Sequence, residues 1–134
     1  MKKTIALALV VLILCPNIFA FARASDYLDS YSIGISAQGG GVVKVTANVE
    51  GTHNKMTKIG FPTIVLYELN GSTWTPVKVV NSQYNPATLS GSYQYSFTYQ
   101  GTAGKTYYAY SSFLAQDSTG SDSRSTDSLS IKAT

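Results

Sequence analysis

Apolar and polar residues alternate with a period of two through most of this chain, and no other feature restricts its fold as much. Successive side chains of a strand point to opposite faces, so this period makes one dry face and one wet face. Tyr31, Ile33, Ile35 and Ala37 alternate with Ser32, Gly34, Ser36 and Gln38. Gly39-Gly40-Gly41 turns the chain, and Val43, Val45, Ala47 and Val49 then alternate with Lys44, Thr46, Asn48 and Glu50. Half-wet strands of this kind belong to antiparallel sheets.

The polar stretch Gly51 to Lys58 reads as a connection. Within Ile59 to Leu69, the consecutive apolar residues Ile64, Val65, Leu66 and Tyr67 predict a central strand. Asn70-Gly71 predicts a tight hairpin, because both residue types tolerate positive φ. The returning strand spans Thr73 to Val80, and Pro76, which has no N–H to donate, assigns it to a sheet edge. After a loop from Asn81 to Gly91, Tyr93, Tyr95, Phe97 and Tyr99 form one alternating face, expected to be core. Gly101 to Gly104 is a turn, and Tyr107 to Ala115 a long strand with Tyr107 and Phe113 on one face and Tyr108, Tyr110 and Leu114 on the other. Asp117 to Ser123 reads as a polar loop around Gly120, and Leu129 and Ile131 mark a last strand. The expectation is an all-β fold, a seven-stranded antiparallel β-sandwich of immunoglobulin type, with a jelly roll or small barrel as the alternative.

Residues 1–24 read differently. Met1-Lys2-Lys3-Thr4 is positive, Ile5 to Leu14 is unbroken and apolar, and Pro16-Asn17 ends the run. Ala22-Arg23-Ala24 then supplies small residues for a signal peptidase, which is the grammar of a secretory signal. The expectation is a signal-peptide helix over 1–24, cleaved between Ala24 and Ser25, followed by one domain over 25–134. Cleavage after Ala22 is the alternative, as is lipidation at Cys15, against which the bulky Leu14 argues. The apolar run falls short of the ~20 residues a membrane helix needs, so no span is expected once the signal is gone.

Removing the signal takes Lys2, Lys3 and Arg23 out of the ten basic residues, leaving seven basic against seven acidic. The mature domain would be neutral and lack the basic footprint of a nucleic-acid binder. It would also lose its only cysteine, so its stability must come from packing rather than disulfides. A cysteine-free domain behind a Lys-Lys signal points to a secreted bacterial protein, and to a bacterium with a single membrane.

Gly104-Lys105-Thr106-Tyr107 resembles the start of the penultimate strand of fibronectin type III domains, where a Tyr three residues after a Gly bonds back to the backbone through its hydroxyl. The resemblance implies that role for Tyr107. The segment Tyr67 to Trp74 resembles the hairpin between the third and fourth strands of such modules. Through Ser25-Asp26-Tyr27, Met56 to Gly60, Gln100 to Ala109 and Gly120 to Arg124, the whole mature chain resembles a group of small secreted proteins of Firmicutes with no assigned function. That resemblance implies an immunoglobulin-like sandwich and a Gram-positive setting, and no activity.

Sites are few. His53 is the only histidine and falls in the polar connection, where a solvated loop residue is expected. A Ser-His-Asp triad would have to use it, and no serine sits in a Gly-x-Ser-x-Gly elbow. Zinc would need further soft ligands. Asp117 and Asp122 share a Gly-containing loop, but their spacing is not that of an EF-hand, and Asp favours such turns anyway. Of the seven carboxylates, Asp26, Asp29, Glu50, Glu68 and Asp127 complete a set that reads as solubilising rather than as a hydrolytic pair. No catalytic residue, metal or cofactor is therefore assigned. The ten tyrosines and Trp74 are the compositional excess. Trp74, on the expected edge strand, and Tyr108 and Tyr110, on one of the two faces of the Tyr107 strand, are the binding candidates. The function expected is a non-catalytic binding or structural module at the cell envelope or in the medium, with a carbohydrate-binding module as the alternative. Its partner would be a polysaccharide or an envelope protein.

Overall fold

The computed structural model describes residues 25–134; the signal peptide expected over 1–24, with Cys15 and Ala24, lies outside them. Eight strands follow one another: β1 (Leu28–Gly39), β2 (Val42–Gly51), β3 (Lys58–Asn70), β4 (Thr73–Tyr84), β5 (Ser92–Gln100), β6 (Thr106–Gln116), β7 (Ser121–Asp127) and β8 (Ile131–Lys132). One sheet runs β1-β2-β5 and the other β4-β3-β6-β7, with β8 pairing β6. All pairs are antiparallel. This is a β-sandwich with the strand partition of an immunoglobulin-like fold, except that β4 stays on β3 instead of joining the sheet of β1. Among the described residues no helix is long and apolar enough to cross a membrane.

The core is where the period of two predicts it. Val43, Val45 and Ala47 of β2 are fully buried and face Tyr107, Ala109, Phe113 and Ala115 of β6 and Ile59, Phe61, Ile64 and Leu66 of β3. Phe61 meets Phe113 edge-on at 5.8 Å and stacks on Tyr93 at 5.7 Å. The tyrosines of β5 are half-buried rather than sealed, because β5 is the edge of its sheet. β4 is the opposite edge of the other sheet, as Pro76 requires.

Three expectations change. The expected loop Asp117 to Ser123 gives way after Gly120 to β7, which pairs with β6 from Gln116↔Ser121 to Tyr110↔Asp127. Its residues, Ser-Asp-Ser-Arg-Ser-Thr-Asp, include no apolar side chain, so no alternation marks this edge strand. Main-chain pairing with β6 forms it, and hydrophobic periodicity carries no trace of that. Leu129 is not in a strand but 87% exposed between β7 and β8, so only Ile131 of the expected last strand packs on the core. The hairpin turn also sits one residue later than Asn70-Gly71. Asn70 pairs with Thr73, and Gly71, at φ +65°, opens a Gly-Ser turn of the type II′ pattern.

Pro62 interrupts the pairing of β3 with β6, which jumps from Gly60↔Leu114 to Ile64↔Ser111. The Ser112 hydroxyl repairs the gap, accepting from the Thr63 N–H at 3.0 Å and donating to the Thr63 carbonyl at 3.3 Å. Gly60 is required here: a Cβ would run into the backbone of Gln83 and Tyr84.

Tyr107 takes the position its resemblance implied. Its hydroxyl accepts from the Thr102 N–H at 2.9 Å and donates to Glu68 at 2.6 Å. Lys105 completes the group, 3.8 Å from Glu68 and donating to Asn70 at 2.7 Å. One phenol thus ties the end of β3 to the turn between β5 and β6.

Candidate functional site: an aromatic outer sheet face

With Tyr107 and Leu66 pointing into the core, their strand neighbours Tyr108 and Tyr67 must point out. The register pairs Tyr67 with Tyr108, and their rings stack at 4.9 Å and 10°. Trp74, opposite Leu69 on β4, reaches over β3 to meet Tyr108 edge-on at 4.7 Å and 90°. Trp74 is 37% exposed and both tyrosines are half-buried. Burial raises the Tyr108 phenol above its ordinary pKa, helped by the nearby Tyr67 and Asp127. Tyr110 follows Tyr108 on the same face, opposite Val65, whose other neighbour Val79 is 51% exposed.

The structure therefore brings Trp74 and Tyr108 into contact and sets Tyr110 beside them. Tyr67 was not singled out in the sequence, because an unbroken apolar run hides which face each residue takes. The hairpin held the missing signal: a two-residue turn at either register puts Tyr67 on the face of Trp74.

The outer face of the other sheet is a contrast. Ser32, Gly34 and Ser36 of β1, Lys44, Thr46 and Asn48 of β2, and Gln94, Ser96 and Thr98 of β5 line up across it by register. It is polar throughout.

The bulge at Pro62 leaves a trough on the aromatic face. It has a volume of about 540 Å³ and is lined by Pro62, Tyr110, Ser112, Ser123, Arg124 and Ser125. The Arg124 guanidinium bonds the Asp122 carboxylate and the Ser123 carbonyl. Asp122 is held below the usual carboxylate range, first by the Ser25 hydroxyl and then by Arg124 and the Ser123 N–H.

His53 lies away from this face. Its Nε2 meets Asp117 at 2.8 Å and its Nδ1 accepts from the Lys55 N–H at 3.1 Å. With Nδ1 accepting, Nε2 is the nitrogen that donates to Asp117. His53 is the solvated loop residue expected, exposed at 40%, and because it is bonded at both nitrogens it also clips the β2–β3 connection to the β6–β7 turn. Asp117 also accepts from the Thr119 hydroxyl at 2.6 Å, the Thr119 N–H at 2.7 Å and the Gly120 N–H at 3.2 Å. The Thr119 bonds above all, then His53, lower its pKa to about 2. A carboxyl depressed from 3.8 contributes stability above that pH and loses it as pH falls toward about 2. Asp117→Asn is accordingly expected to flatten the acid limb of the melting temperature between pH 4 and 2. An unchanged limb would show that the clip adds nothing to stability.

No family model matches the sequence, and no curated protein matches it.

Proposed function

We propose that this chain is an exported, non-catalytic binding module of a Gram-positive bacterium, and that it meets its partner through the outer face of β4, β3 and β6. The observation that carries this reading is the asymmetry of the two outer faces. One is a polar lawn, while the other gathers Trp74, Tyr67, Tyr108, Tyr110 and Val79. Aromatic side chains offer much contact area for little lost rotamer freedom, which is why they dominate binding surfaces. The engagement of both His53 nitrogens supports binding over chemistry, since neither is left to accept a proton from a nucleophile.

The test uses the chain as it leaves the cell. The intact mass of protein recovered from the medium should correspond to a start at Ser25. Incubated with isolated cell envelopes, that protein should sediment with them. Trp74→Ala and Val79→Lys should each weaken retention about tenfold, the equivalent of one lost aromatic or apolar contact. Retention equal to wild type in both variants would remove the outer face from the reading. A chain that never reaches the medium or envelope would remove export.

A further inference from the structure

We infer that the aromatic face and its trough bind an uncharged polysaccharide, Trp74 and Tyr110 packing on sugar rings and Ser123 and Ser125 bonding their hydroxyls. This rests on the outer face being the binding surface, and it names the partner.

Four observations carry it. The trough's volume, about 540 Å³, falls in the range of small-ligand sites. Its lining combines an aromatic ring and a proline with the serines Ser123 and Ser125, Ser112 being engaged with Thr63, and so matches a ligand that has both C–H faces and hydroxyl edges. Its one cation, Arg124, is neutralised by Asp122, so nothing there selects for an anionic ligand. Its shape is built in, because the gap at Pro62 is braced by both bonds of Ser112 to Thr63.

Spacing adds to these. Tyr108 and Tyr110 lie two residues apart on one strand face, roughly 7 Å, which suits ring-by-ring contact with an extended polymer. The stacked Tyr67 and Tyr108 rings stand against each other, while Trp74 keeps an exposed surface. Asp127, opposite Tyr110, adds a hydrogen-bond acceptor to the same end of the face. A protein partner would instead call for a broad apolar centre inside a polar rim. Here the most exposed apolar groups of the face, Trp74 and Val79, sit on the edge strand β4, the central strands β3 and β6 carry the half-buried Tyr67, Tyr108 and Tyr110, and the trough serines Ser123 and Ser125 sit on β7 at the other edge.

Native electrophoresis of the exported chain through gels containing a soluble β-glucan, xylan or galactomannan reads such binding directly. Wild type should be retarded by at least one of the three. Ser125→Leu, which fills the trough from an exposed edge position, and Trp74→Ala should each weaken the affinity about tenfold. Thr46→Leu, on the opposite sheet, should migrate as wild type. Circular dichroism melts confirm that each variant is folded. Retardation that survives Ser125→Leu overturns the trough as a subsite. Migration unaffected by all three polysaccharides overturns the inference. If envelope retention is then still lost in Trp74→Ala, the outer face remains the binding surface and the polysaccharide is excluded. A dimer in sedimentation that Trp74→Ala breaks likewise replaces the polysaccharide with a second copy of the chain.

Discussion

Phe113→Ala is expected to cost about 3–5 kcal/mol of unfolding free energy, a large part of the ~5–15 kcal/mol that holds a typical domain together. Phe113 is fully buried on β6, edge-on to Phe61 at 5.8 Å and 5.0 Å from the Tyr31 ring across the sandwich. Both sheets meet on this ring. Its removal leaves a cavity that paired strands cannot close without breaking their ladders. Urea titration should show a lower midpoint at an unchanged slope, the sign of lost stability rather than an altered unfolded state. Phe113→Leu, which keeps most of the volume, should cost clearly less. A loss under about 1 kcal/mol for the alanine variant would mean that the sheets collapse onto the gap, contrary to a rigid core.

Tyr107→Phe should cost about 1–3 kcal/mol although it removes a single oxygen. That oxygen serves two partners, and its loss leaves the Thr102 N–H and one Glu68 oxygen unsatisfied beside a fully buried ring. The pH dependence separates this from simple loss of packing. Burial, and then the bond to Glu68, raise the phenol above its ordinary value of 10.0. A group with a raised folded pKa contributes fully below its unfolded pKa, and the contribution is lost as pH rises beyond it. The difference between wild type and variant should therefore be constant up to about pH 10 and shrink above it. A difference that does not change with pH would mean the hydroxyl is not what holds this corner.

Legibility differed from strand to strand for physical reasons. β2 could be read residue by residue, since Val43 to Val49 put every second side chain into the core. β4 could be placed at an edge from Pro76 alone. β7 could not be read, because a strand made only of polar residues leaves no hydrophobic period to find. The same limit hid the trough. Pro62 announces a missing N–H, but only the register of β3 against β6 shows that the gap opens toward Tyr110.

The candidate site divides in the same way. Trp74 stood out in sequence for its place on an edge strand, and Tyr108 and Tyr110 for lying on a strand with aromatic residues on both faces. Their partner Tyr67 did not, since it ends a run in which neighbours on both faces are apolar. The pairing of His53 with Asp117 joins residues 64 positions apart, and no local pattern foretells it.

The alternation of side chains therefore decided the all-β class and the core faces, because which face meets water is a local property of a strand, and the missing N–H of Pro76 decided the edge position of β4. Strand partners decided the rest: the existence of β7, the stacking of Tyr67 on Tyr108 under Trp74, and the trough beside them. Those depend on which backbone lies next to which, and that is settled only when distant segments pair.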